Sequence, residues 1–95
     1  MKCEHIFYSG HAVQRMFERT INGIDVEKVL RKGEVIADYP DDEPYPSYLV
    51  LGFVKSRPLH VVVAFEMSKN TCHVITVYEP DPDLWDKEFK KRKMS

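Results

Sequence analysis

The sequence predicts an α+β domain: two N-terminal helices, a four-stranded antiparallel meander and a C-terminal helix. Three observations carry that reading. Apolar residues between positions 10 and 33 recur at helical spacing. Three later segments of eight or nine residues are rich in Val, Ile, Thr, Phe and Tyr, the composition and length of strands. The connections between those segments are short, so neighbours should pair as antiparallel hairpins. Helices and strands are segregated along the chain, which separates this class from alternating α/β folds. At 95 residues the chain has room for one domain, 1–95.

Residues 4–8 read either as a short edge strand or as a lead-in segment. Ser9 stands where an N-cap belongs, since its hydroxyl can accept from an orphan N–H of the first turn. From Gly10 to about Thr20, Ala12, Val13, Met16 and Phe17 form the apolar side expected to pack on the sheet. Asn22-Gly23 ends that helix, and Asp25 can cap a second with Val26, Val29 and Leu30 on its inner face and Gly33 at C′. Val35, Ile36 and Tyr39 suggest a strand. The loop Pro40–Ser47 follows, its three prolines forbidding helix. Strands are predicted at Tyr48–Lys55, Leu59–Glu66 and Thr71–Glu79, joined through Ser56-Arg57-Pro58 and Met67–Asn70. Pro80 stops the last. Asp81-Pro82 reads as a helix start, with Leu84, Trp85 and Phe89 on one face.

Hydrophobic residues at 43% and charged residues at 31% are values of a globular chain, which disfavours disorder. Fourteen Lys and Arg against fifteen Asp and Glu give a net charge of −1, which argues against binding nucleic acid through bulk charge. The distribution is uneven: residues 34–43 carry five acids and no base, residues 87–93 five bases and one acid. No apolar run of 18 residues offers a membrane span, and the first residues lack a signal-peptide pattern, so the expected location is cytoplasmic. Cys3 and Cys72 are too few for a disulfide scaffold and are expected as reduced thiols. With His5 and His73 they form no metal-ligand spacing, so no metal or other cofactor is expected.

Three groups of residues could carry chemistry. His11, Arg15 and Arg19 are spaced i, i+4, i+8 along one helix face, expected to point outward or into a cleft, where two guanidiniums could hold a phosphate. The alternative is a solvated face with Glu18 pairing an Arg. His60, near the start of an apolar strand, can act as a general acid or base or be a satisfied core residue; Arg57 lies just before it. Tyr78, given the parity of Cys72, Val74 and Thr76, could donate to a phosphate or stack on a base. Catalysis would require His60 within reach of His11, Arg15 or Tyr78.

Taken together, His11-Ala-Val-Gln-Arg-Met-Phe-Glu-Arg-Thr-Ile21, Gly33-Glu-Val-Ile36, Tyr39 to Leu49, Arg57-Pro-Leu-His60 and Thr76-Val-Tyr-Glu-Pro80 with Trp85 resemble a family of small prokaryotic proteins of uncharacterised function that open HAxxRMxERGI. The resemblance spans roughly residues 8 to 90. Such proteins often sit beside a zinc-finger antitoxin of the YgiT or MqsA type, and more distantly resemble the BrnT and RelE-like toxins. The resemblance implies a RelE/BrnT-like fold and the toxin of a type II toxin–antitoxin pair, a metal-independent ribonuclease cleaving mRNA. His60 and His11 would then transfer protons, Tyr78 would complete the catalytic group by donating to the phosphate or stacking on a base, and Arg15, Arg19 and Arg57 would bind the phosphate. The competing reading is a non-catalytic binding module, a homodimer or a partner of a zinc-finger protein, using the Tyr-rich loop at 39–48. A third is small-molecule binding between sheet and helices.

Overall fold

The computed structural model describes residues 1–94. Its elements are β1 (His5–Tyr8), α1 (Gly10–Glu18), α2 (Gly23–Lys32), β2 (Glu34–Tyr39), β3 (Ser47–Val54), β4 (Arg57–Glu66), a single 3₁₀ turn (Met67–Lys69) and β5 (Thr71–Tyr78). The strands form one five-stranded mixed sheet, ordered β1-β5-β4-β3-β2. Strands β2 to β5 are an antiparallel meander as expected, but β1 adds a fifth strand parallel to β5. The two helices connect opposite edges of this sheet and cover one face of it.

Local signals explain both helices. Ser9 caps α1 through its hydroxyl, which accepts from Ala12 N–H at 3.0 Å. Asn22 rather than Asp25 caps α2: its Oδ1 accepts from Asp25 N–H at 2.8 Å. Gly33 ends α2 in extended rather than left-handed backbone. Its lack of a side chain serves packing instead, since a Cβ there would strike the Val29 and Leu51 carbonyls. Ala12, Ile21, Val26, Val29 and Leu30 from the helix layer meet Val50, Leu59, Val61, Val63, Val74 and Val77 from the sheet. Burying these side chains contributes roughly 1.5–3 kcal/mol each for the larger ones.

Four expectations are corrected. First, α1 does not bury the Ala12, Val13, Met16 and Phe17 side: Val13 and Phe17 are 55% and 87% exposed. A two-layer domain receives only one narrow stripe of this helix, and Ala12 and Met16 fill it. Second, β5 contains a bulge at Ile75, because Val62 pairs Thr76 while Val63 pairs Val74. The strict alternation expected along 71–79 therefore breaks. Cys72, Val74 and Val77 all reach the core, and Tyr78 turns to the opposite face.

Third, the C-terminal helix is absent. Asp81 and Asp86 draw the backbone into tight turns: Asp81 Oδ1 accepts from Asp83 N–H, and Asp86 Oδ1 accepts from the N–H groups of Glu88 and Lys90. Such side-chain bonds compete with helical ones. Asp86 N–H to Lys91 O and Lys93 N–H to Leu84 O close the tail into a small loop, bridged at Trp85 and Arg92. Fourth, Cys3 and Cys72 form a disulfide rather than standing as thiols. Composition counts cysteines but does not see that parallel pairing of β1 and β5 brings the two together.

Gly52 marks the tightest contact between the layers. A Cβ there would lie 2.8 Å from Val29 Cγ2 and 3.1 Å from Val29 Cα. Gly52→Ala should therefore force α2 off the sheet and lower stability by about 1–3 kcal/mol. A chemical-denaturation midpoint equal to that of the wild type would contradict this packing.

Candidate functional site

The bulge in β5 and the turns of the tail decide where the candidate side chains lie. His60 projects from β4 on the face away from the helices, with Tyr78 opposite it in the register. The tail folds over that face. His60 is fully buried, and Trp85 meets it edge-on with ring centroids 4.4 Å apart. His60 Nε2 lies 2.8 Å from the Phe89 carbonyl, which can only accept, so Nε2 carries the proton. Nδ1 then accepts from the Tyr78 hydroxyl at 3.1 Å. Burial lowers the His60 pKa, and its bond to Phe89 offsets this only in part. Burial likewise raises the Tyr78 pKa, keeping its hydroxyl a donor. The ring is thus neutral and held in one tautomer, with both nitrogens engaged.

The helix residues lie elsewhere. His11 is exposed on α1, in the layer on the opposite face of the sheet from His60. Arg15 pairs with Glu18 at 3.4 Å. Arg19 donates to the Val77 carbonyl at 2.9 Å, at a stretch of β5 beyond the end of β1 where the strand edge would otherwise be open. Arg57 binds three acceptors at once: Arg19 O at 2.7 Å, Thr20 O at 3.1 Å and the Glu79 carboxylate at 3.0 Å. It closes the C-terminus of α1, where Thr20 takes a left-handed φ of 56°. The structure therefore brings His60 to Tyr78 and Arg57 to Arg19, but holds these two groups on different faces of the sheet.

One cluster escaped the sequence reading. His73 Nε2 lies 3.0 Å from Glu66 Oε1, and the imidazole stacks with Phe7 and Tyr45 at centroid separations of 5.8 and 5.4 Å. The His73 bond is the main cause holding the Glu66 carboxyl below its usual range, against the opposing effect of burial. The β4–β5 hairpin register contains the signal: Ala64 faces His73 and Glu66 faces Thr71, so Glu66 and His73 are diagonal neighbours on one face. Among the described residues, no group of three or more His, Cys, Asp or Glu side chains is placed to hold a metal ion. No helix among them is long and apolar enough to cross a membrane.

Comparison with known proteins adds one finding. Residues 8–79 match the family described as a domain of unknown function, DUF4258. The match covers about three quarters of the chain, and the protein belongs to that family. Neither a curated protein nor a solved structure matches the chain.

The buried His60 carries a pH signature. The unfolded chain takes up a proton near pH ~6.5 that the folded ring refuses, so stability falls as pH drops from about 6.5 toward the lowered folded-state value. The slope cannot exceed roughly 1.4 kcal/mol per pH unit for one group. His60→Gln should be less stable throughout but show a flatter dependence between about pH 7.5 and 5. An equal slope in the variant would contradict a neutral buried ring.

Proposed function

We propose that this protein is a non-catalytic binding module, one half of a two-protein pair, and that it docks through the outer face of α1. The observation behind this is the exposure of Phe17 at 87%, with Val13 one turn earlier at 55%. Ile24, at the start of α2, is 63% exposed. Scattered apolar side chains are ordinary on a protein surface, but two at i, i+4 on one short helix form a ready-made ridge for a partner's groove. The partner implied by the family resemblance is a small zinc-finger protein of the antitoxin type. A ribonuclease would need two convergent proton-transfer groups, and His60 and His11 lie on opposite faces of the sheet. Binding therefore accounts for more of the geometry than RNA cleavage does.

Co-expression with such a zinc-finger protein, followed by co-purification and light scattering, tests the reading. Phe17→Asp should weaken the complex about 100-fold or more, the scale of a central hot-spot residue. The melting temperature of the free protein should barely move, because Phe17 contributes almost nothing to the core. Undiminished binding by Phe17→Asp and Val13→Asp would overturn the docking face. Cleavage of RNA by the purified wild type would overturn the non-catalytic assignment.

A further inference from the structure

At the end of the sheet where β2 begins, a cleft of about 520 Å³ opens between α2, the β3–β4 turn and the tail. Four lysines from three separate parts of the chain line it. Lys28 and Lys32 stand one turn apart on α2, Lys55 sits in the turn, and Lys90 comes from the tail. Lys90 is neutralised by Glu34 at 3.2 Å and Glu88 at 3.7 Å. Lys28, Lys32 and Lys55 have no carboxylate within salt-bridge distance among the described residues. In a chain of net charge −1, three unpaired cations around one cleft make a local positive field that the composition hides.

Lysines in the last turn of a helix commonly answer its negative end, and that would account for Lys32 alone. Lys55 needs another explanation. It occupies a two-residue turn with φ of 52°, followed by Ser56 at 70°, positions that favour Gly or Asn. A lysine is held there in unfavourable backbone, at the mouth of the cleft.

The rest of the lining selects among anions. Phe53 is 58% exposed and borders the cleft, its ring edge-on to Phe89. In the β2–β3 register Glu34 faces Leu51, so β3 runs on to Val54 with β4 on one side only. A free strand edge beside an exposed aromatic ring offers main-chain donors and acceptors next to a stacking surface. We propose that this cleft binds a nucleoside phosphate, free or as one unit of a single strand. The phosphates lie among Lys28, Lys32 and Lys55, and the base lies against Phe53 and the open edge of β3. Lysines act as point charges on phosphate oxygens, and aromatic rings accept any base by stacking. This site is separate from the α1 surface and does not depend on the docking role assigned to it.

Titration of the purified full chain with ATP, with inorganic pyrophosphate and with a short single-stranded oligoribonucleotide tests the assignment. ATP should bind at least about tenfold more tightly than pyrophosphate, and binding should weaken steeply with added salt. Lys32→Glu should reduce ATP affinity tenfold or more, and Phe53→Ser should reduce ATP affinity while leaving pyrophosphate unchanged. Lys55→Asn separates binding from folding: the variant should melt higher, because Asn suits the turn, yet bind ATP more weakly. A higher affinity for the oligonucleotide, lost in the same variants, would identify a strand as the source, whereas equal affinity would identify a free nucleotide. Absence of ATP binding at millimolar concentration, pyrophosphate binding as tight as ATP, or full binding by both lysine variants would each overturn the proposal.

Discussion

The imidazole of His60 joins three parts of the molecule that are far apart in sequence. It grows from the central strand β4, accepts from Tyr78 on β5 and donates to the Phe89 carbonyl in the tail. Strand β4 is buried on both faces: Leu59, Val61 and Val63 lie under the helices, while His60 lies under the tail. Two helices can cover only one side of a five-stranded sheet, so the second side needs its own cover. The tail supplies it. A charged imidazole at this depth would cost several kcal/mol. The neutral ring with both nitrogens bonded avoids that cost and gives the irregular tail a fixed attachment.

Other features depend on that attachment. Phe89 borders Phe53, and Lys90 reaches Glu34, so the tail forms one wall of the lysine-lined cleft. Asp86 holds the turn that places both residues: burial pushes its carboxyl up, but N–H groups of Lys90, Lys91, Glu88 and Phe89 outweigh this and keep it ionised. On the other face, Arg19 and Arg57 do comparable work for α1. One seals the edge of β5, and the other closes the helix end. With the inner stripe of α1 committed to the sheet, Val13 and Phe17 are left facing solvent. The surface proposed for docking is thus the side of α1 left uncovered once Ala12 and Met16 face the sheet.

What the sequence made legible was local. Ser9 as a cap, a first helix running from Gly10 to just short of Thr20 and the β2–β5 meander follow from residue chemistry over a few positions, and the structure has them. Asn22-Gly23, read as the end of that helix, instead begins α2. What it hid depends on partners distant in the chain. The pairing of β1 with β5 joins segments about 66 residues apart, and a four-residue strand carries too little pattern to announce it. The bulge at Ile75 has no residue signature, yet it moves Tyr78 to the other face and so decides its neighbours. The tail reads as a helix because Leu84, Trp85 and Phe89 have helical spacing; the turn-forming aspartates outweigh that pattern. His60 stood open between a core and an acid–base role, and only the position of Phe89 shows both nitrogens occupied. The lysine cleft was invisible because its charges come from separate segments of a chain that is balanced overall.

Nitrogen-15 NMR of the His60 ring tests whether the tail seals it, because ring shifts report tautomer and charge together. The expected result is a neutral ring with the proton on Nε2, slow exchange of that proton with water, and no titration as the pH passes about 6.5, the ordinary imidazole value. A ring that exchanges freely and titrates near that value would contradict it. The tail would then not cover β4, and His60 would again be available to act on a substrate.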